Sequence, residues 1–432
     1  MSWVRYKLGD VCFIEKGKIG IQKAVPGAFP LVVTAEERLS HNEAHFEGNA
    51  VVIPLVSSTG HGHKSLKRIH FQSGKFAVGN ILCVVMPKDE TFLRADFLYR
   101  FLDLNREKEL VSRMKGMANV TLPMKEIANI EIPIPPIEDQ VSFVQKYNLL
   151  EEHSKELNTE IKDQIELVKQ IRQAFLREAM QGKLFPQDPN YEPASILLEK
   201  IKAVKEQLIK EKKIKKDKPL PPISENEIPF EIPENWEWCR LGEMVFDQLY
   251  GTSSKADLTG DIPVLRMGNI TTDGKVLYSN LKYVSKKIKD LPNLYLKNGD
   301  LVFNRTNSFE LVGKCGVFYN EEPFTLASYL IRIRLSEYSI PEFFSNYINS
   351  SLCRETQIEP KIIQQNGQAN FNGTKLSNII SPLPPLSEQQ QIVTKLNDLM
   401  KMCNDLEASI KESQQQNEVL LQQVLREALE VK

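Results

Sequence analysis

Apolar residues are spaced along this chain in two rhythms. Short unbroken runs, AVVIPLV at 50–56, ILCVVMP at 81–87, DLVFN at 300–304 and LIRIRL at 330–335, predict buried strands. DFLYRFLD and EFFSNYINS, around Phe97 and Phe343, predict helices in corresponding places. Two longer stretches instead carry mostly apolar residues at alternating spacings of four and three. In the first they are Leu150, Ser154, Leu157, Ile161, Gln164, Val168, Ile171 and Phe175. In the second they are Leu399, Cys403, Leu406, Ile410, Ser413, Asn417, Leu420 and Val424. With few interior breakers, this heptad spacing predicts a coiled coil. About 40 helical residues give a length of roughly 60 Å. Antiparallel pairing would place Gln164 near Ser413 as a polar layer that fixes register. The alternative is two separate amphipathic helices, each packed on its own domain.

Each long stretch follows the same punctuation. IPIPPIEDQVSFV begins at Ile132 and SPLPPLSEQQQIV at Ser381. Aligned without gaps, Ile130–Met180 and Ile379–Leu429 share 17 of 51 residues, including Pro133/Pro382, Pro135/Pro384, Pro136/Pro385 and Gln140/Gln389. GMAN at 116–119 returns as GQAN at 367–370, and Trp3, Leu8, Gly9, Phe13 and Pro30 match Trp236, Leu241, Gly242, Phe246 and Pro263. A period above about 200 residues is a duplicated domain, since solenoid repeats span about 20–50. P-x-P-P forbids helix and ends each globular part. Ser387 and Gln390 form a capping-box pattern at the second helix start, and Glu138 and Asp139 suit the first through the helix dipole.

These signals predict an α+β chain: a globular part over 1–137, a long helix over 138–182, a connector over 183–233, a second globular part over 234–386 and a second long helix over 387–432. Within the connector, Glu192–Lys213 reads as a helix with Ile196, Leu197, Ile201, Val204 and Leu208 on one face. The basic run Lys210–Lys218 reads either as a solvated helix end or as a DNA-backbone contact. Pro219-Leu220-Pro221-Pro222 is stiff and extended.

Composition narrows the function. The formal net charge is -1, so nucleic-acid contact has to come from local patches. The six cysteines form no C-x-x-C pair, and reduced thiols in a cytoplasmic protein are the simplest reading. No signal-peptide core and no apolar run near the ~20 residues of a membrane span are present. The sequence has no phosphate loop, nucleophile elbow, zinc-protease motif or N-P-P-Y stretch. A nuclease or methyltransferase fused to its own reader would need one of these.

Polar loops remain as candidate chemistry. SSTGHGHK places Ser57, Ser58, Thr59, His61, His63 and Lys64 together, with Lys67 and Arg68 beyond, a mixture suited to phosphates and base edges. His61, His63 and His70 lack a nearby acidic or thiol partner, which argues against a metal. In the second half, NRTNS delivers Asn304, Arg305, Thr306, Asn307 and Ser308 from a strand end. RMGNI adds Arg266 and Asn269, and IIQQNGQANF adds Gln364, Gln365, Asn366 and Asn370. Arginine forks onto guanine O6/N7 and asparagine onto adenine N6/N7. Equally, such groups cap turns. Asn370, repeated as Asn119, reads as scaffold, and Arg305 and Asn307 read as DNA contacts. Residues that repeat should be scaffold, and residues that differ should set specificity.

The chain resembles the specificity subunits of type I restriction–modification enzymes. The resemblance rests on IPIPPIEDQ, SPLPPLSEQQQIV, AFLREAMQGKLFPQDPNYEPASILLEKI, EIPENWEWCRLGEM and GDLVFNRTNSFELVGKCGVF, and it covers nearly the whole chain in the family's order. It implies two target-recognition domains, each reading half of a split double-stranded DNA site, and two helices forming an antiparallel spacer. It also implies two methyltransferase subunits that modify adenine N6 with S-adenosylmethionine, and restriction subunits that use ATP and Mg. The specificity subunit itself would be non-catalytic, with no cofactor or metal of its own. Ser57–Lys64 does not resemble Asn304–Ser308, as unlike half-sites would require. A coiled-coil scaffold with no DNA role is the alternative.

Overall fold

Pro133 ends a short strand, Glu131–Pro133, that pairs antiparallel with Arg5–Lys7, and Pro382 lies in Ile380–Leu383, paired the same way with Glu237–Arg240. A long helix leaves each of these strands within a few residues. The computed structural model describes residues 3–59, 62–216, 218–365 and 367–427. The principal helices are α1 Ala95–Leu104, α2 Ile137–Met180, α3 Ala194–Lys210, α4 Pro341–Asn349 and α5 Leu386–Glu427. The chain divides into two compact units, Met1–Gln164 with Ser409–Lys432, and Ile165–Ala408.

The first unit holds an antiparallel sheet of β1 Cys12–Lys16, β2 Ala50–Pro54, β3 His70–Gln72 and β4 Leu82–Pro87, in the order β1-β4-β2-β3. The second holds β5 Val245–Tyr250, β6 Leu301–Asn304, β8 Cys315–Val317 and β9 Leu330–Leu335, in the order β5-β9-β6-β8. The two topologies are the same. Each unit adds a second sheet containing one parallel pair, Phe29–Val32 with Lys75–Val78 and Ile262–Leu265 with Thr325–Leu326. Each four-stranded sheet packs on its short helix. Phe97 and Phe101 meet Val51, Ile53 and Val85, and Phe343 and Phe344 meet Leu301, Phe303 and Ile331. The four apolar runs therefore form core strands.

The repeated glutamine joins each long helix to its unit. Gln140 is fully buried; its Nε2 donates to Pro135 O and Phe92 O, both at 2.9 Å, and its Oε1 accepts from Arg94 N. Gln389 is also fully buried; its Nε2 donates to Pro384 O at 3.0 Å and its Oε1 accepts from Ile340 N at 3.0 Å. Arg94 and Ile340 are the residues that precede α1 and α4. One amide thus ties the proline stop to the start of the short helix, and does so twice. α5 begins at Leu386, with Glu388 N and Gln389 N bonded to Pro385 O, so Ser387 lies inside the first turn instead of capping it. Glu388 is buried and accepts from Trp236 Nε1 and Gln187 Nε2, which fixes the connector against the domain start. Burial pushes its carboxyl up.

α2 and α5 run antiparallel within each unit. In the first, Gln414 Nε2 donates to Asn158 Oδ1 at 3.2 Å, while Phe143, Tyr147 and Leu150 share a core with Leu421 and Leu425. In the second, Arg172 bonds Glu407 and Asn404, both at 2.8 Å, while Leu176 and Met180 share a core with Val393 and Leu396. The seam departs from the predicted heptad. Its covered residues recur at eleven: Ile161/Arg172, Ile165/Leu176 and Val168/Ala179 on α2, Cys403/Gln414, Ile410/Leu421 and Gln414/Leu425 on α5. Eleven residues over three turns is about 3.67 per turn, near the period of an unstrained helix. Extending the heptad instead places Ile171, Leu406 and Leu420 in solvent, 41%, 48% and 58% exposed. Gln164 and Ser413 are exposed and form no polar layer.

In the connector, α3 buries Leu197, Leu198 and Ile201, whereas Ile196 faces solvent. Arg240 holds the prolines beyond it, donating to Pro221 O at 2.6 Å and Pro222 O at 3.0 Å. In β3, the buried His70 ring faces the Arg38 guanidinium through Nδ1 at 3.1 Å. Burial first, then Arg38 and Arg68, push its pKa down to about 4.

Two outcomes follow for stability. Gln389→Ala leaves Ile340 N and Pro384 O without their partner and is expected to cost about 2 kcal/mol, read by urea unfolding. Because His70 is harder to protonate folded than unfolded, its contribution is complete above about pH 6.5 and is lost as pH falls toward about 4. In melts across that window, His70→Gln should show a shallower loss of stability than the parent chain.

Candidate nucleic-acid interface

Beyond β6 the second unit builds a small ribbon. β7 Thr306–Asn307 pairs with β11 Gln368–Asn370, which pairs with β10 Ile363–Gln365. Gly367 supplies the positive φ (+76°) of the hairpin between β10 and β11. Cross-strand, Thr306 Oγ1 donates to Asn370 Oδ1 at 2.7 Å. Ile363, Gln364 and Gln368 are exposed, and Asn307 and Ser308 half-buried. Its outer two strands, β10 and β11, form a hairpin carrying amide side chains, and a two-stranded ribbon is an element that a DNA major groove admits.

Arg305 stands at the root of the ribbon. Its N donates to Tyr329 O at 3.0 Å and its O accepts from Phe371 N at 2.9 Å. Its guanidinium lies 4.9 Å from the centre of the Tyr250 ring, and its Nε donates to Ser328 O at 3.2 Å. Tyr250 ends β5, and its hydroxyl accepts from Gly373 N at 2.8 Å. The next residue has to be glycine, because a Cβ on Gly251 would stand 2.2 Å from Ala327 O.

The first unit repeats this backbone. Leu55 N donates to Ile81 O and Leu55 O accepts from Leu122 N, matching the bonds of Arg305. Val56 and Lys115 bridge Thr121 as Thr306 and Ile363 flank Asn370, so the structural counterpart of Asn370 is Thr121 and not Asn119, the residue the repeated GMAN and GQAN predicted. Gly17 follows β1 as Gly251 follows β5, and a Cβ there would stand 2.1 Å from Gly79 O. Ser57 therefore occupies the place of Asn307. The two loops, unlike in sequence, are equivalent in position.

The predicted residues separate into two groups. Asn269 is buried, its Oδ1 accepting from Arg266 N and its Nδ2 donating to Leu277 O and Ser279 O. Asn304 is fully buried, with Nδ2 toward Leu311 O, and Thr306 is buried against Asn370. These three belong to the scaffold, because their polar atoms face the protein interior. Arg266 is half-buried, with Nη2 on Asn280 O at 2.6 Å. Ser57 Oγ donates to His63 O at 2.5 Å, Ser58 Oγ accepts from Lys67 N at 2.9 Å and Thr59 N donates to Ser57 Oγ, so these hydroxyls close their own loop. His63 and Lys64 are exposed. Asn307 Oδ1 accepts from Ser308 N. His61, Asn366 and the Gln365 side chain lie outside the described residues. The sequence reading missed Tyr250, Tyr329 and Met117, which is 93% exposed beside Gly116. Tyr250 is hidden from a gap-free comparison, because Gly17 and Gly251 are 234 residues apart while the matches from Trp3/Trp236 to Pro30/Pro263 are 233 apart, and a register shift between Val245 and Asp247 takes up the extra residue.

Comparison with known proteins gives a consistent result. The family model described as the type I restriction modification DNA specificity domain matches residues 1–167 and again 233–415. The specificity subunit of the type I restriction enzyme EcoAI from Escherichia coli is 28% identical over 418 residues, covering 86% of this chain and 70% of that protein. A chain from a study of complex assembly and conformational transition in the type I R-M system superposes with a TM-score of 0.66 at 17% identity, covering 99% of this chain and 97% of that one. The HsdS subunit from Thermoanaerobacter tengcongensis superposes with a TM-score of 0.53 at 18% identity, covering 99% and 96%.

Replacing Asn269 by alanine removes three internal hydrogen bonds at a buried site. It should cost about 2 kcal/mol or more in thermal unfolding while leaving the base preference of any DNA bound by the chain unchanged, as read by binding to a randomised duplex pool.

Proposed function

The chain belongs to the type I restriction–modification DNA specificity family, and from that premise we propose that each unit reads one half of a bipartite site in double-stranded DNA. The observation that carries this reading is the repeated frame: one backbone hydrogen-bond pattern, used twice, presenting Ser57, His63 and Lys64 in one unit and Arg305, Asn307 and Gln364 in the other. Equal frames with unequal side chains are what two unlike half-sites require. The long helices set the unread gap and dock two methyltransferase subunits, and restriction subunits join that assembly.

In this reading the chain is non-catalytic. Methyl transfer to adenine N6 from S-adenosylmethionine, and ATP- and Mg-dependent cleavage, belong to the partner subunits in the cytoplasm. Most phosphate contacts also come from those partners, in keeping with a net charge of -1. The isolated chain then binds DNA weakly with a shallow salt dependence, and the assembly binds with a steeper one.

The test is methylome sequencing of a host carrying this chain with its cognate modification subunit, beside a host lacking the chain. The expected result is N6-methyladenine at a split, asymmetric motif that appears only with the chain. An assembled, competent complex that marks no motif would leave the chain as a scaffold.

A further inference from the structure

Three positions stand out when the two frames are compared bond by bond. The residue before the close-packed glycine is Lys16 in the first unit and Tyr250 in the second. The residue at the root of the ribbon is Leu55 or Arg305, and the residue whose carbonyl accepts from it is Ile81 or Tyr329. The backbone bonds are conserved at all three, yet every side chain changes. In the second unit the three residues replace Lys, Leu and Ile with two aromatic rings and a guanidinium.

The guanidinium is constrained along its length. The Arg305 backbone is bonded on both sides, at Tyr329 O and from Phe371 N. Its Nε donates to Ser328 O, and its guanidinium carbon lies over the Tyr250 ring at 4.9 Å from the centroid. That ring is anchored at its far end by Gly373 N and at its near end by the glycine that follows. Among the described residues nothing accepts from the two terminal amino groups of Arg305. Tyr250 and Tyr329 are 45% and 43% exposed, so this edge is open to solvent. A planar fork of donors whose rotamers are already restricted matches the paired acceptors O6 and N7 of guanine and loses little entropy on binding. Stacking on an aromatic ring adds a cation–π contribution without using the terminal donors.

We propose that Arg305, braced by Tyr250 as a positioning residue, reads a guanine in the half-site of the second unit. The first unit, with Leu55 at the equivalent place, has no such fork and reads that position differently. The inference rests on the DNA-reading function proposed above.

The experiment maps the methylated motif of the full chain, assembled with its modification subunit, for the parent and for Arg305→Ala, Arg305→Lys, Tyr250→Ala and Tyr250→Phe. The parent should require a G·C pair in one half-site. Arg305→Ala should relax discrimination at that one position by about ten- to a hundredfold and leave the others intact. Tyr250→Ala should relax the same position, and Tyr250→Phe, which keeps the ring, should restore it. A purely structural role would lower methylation evenly across all positions instead. If the alanine variant does not assemble, Arg305→Lys decides by the same readout, since lysine keeps the charge but not the fork. A parent motif without a G·C requirement, or one unchanged in the Arg305 variants, overturns the inference and leaves the DNA-reading function standing. A parent complex that assembles but marks no motif overturns that function itself.

Discussion

One buried amide governs how each globular part meets its long helix. In each proline run the last carbonyl, Pro136 O or Pro385 O, is taken up by the helix that follows, while the one before it, Pro135 O or Pro384 O, takes a side-chain donor, and α1 and α4 begin with backbone N–H groups that need acceptors. Gln140 and Gln389 answer both needs at once, with the donor end on the proline carbonyl and the acceptor end on the residue before the short helix. Because both ends are buried, neither bond can be traded for water without penalty. The direction in which each helix leaves its domain is thereby tied to the core of that domain. The P-x-P-P-x-x-x-Q pattern is repeated because the same joint is built twice.

Above that joint, the molecule separates what must be constant from what must vary. Backbone bonds carry the frame at the ribbon root, so side chains there, such as Leu55 and Arg305, can differ between units. Gly17 and Gly251 show the constant part, since each strand end passes too close to a neighbouring carbonyl for any side chain. Lys16 and Tyr250, one residue earlier, show the variable part. Fixed packing and free variation thus meet within a dipeptide.

Much of the fold was legible in the sequence because it rests on local signals. Buried strands announce themselves as apolar runs, and the duplication as a repeated proline stop. The helix seam was misjudged from Ile165 onward because heptad and eleven-residue spacings coincide for several turns before they diverge. Telling them apart requires knowing which of Gln164 or Ile165, and Leu406 or Glu407, is covered. The site was less legible. Asn269 and Asn304 have the side chains of base readers, and only their burial and internal bonds assign them to the scaffold. Tyr250 is 55 residues from Arg305 in sequence, and no periodicity connects them.

The first unit is discontinuous, and this sets an order of events during synthesis. Phe143, Tyr147 and Leu150 share their core with Leu421 and Leu425, which follow Leu150 by about 270 residues. At ~5–20 residues per second the ribosome delivers that covering segment roughly 15–50 s later. For that interval Phe143 and Tyr147 have their partners in the first globular part, such as Phe97 and Arg100, but lack the cover of Leu421 and Leu425, while the whole of the second globular part is made. The half of the protein translated first is thus the half completed last.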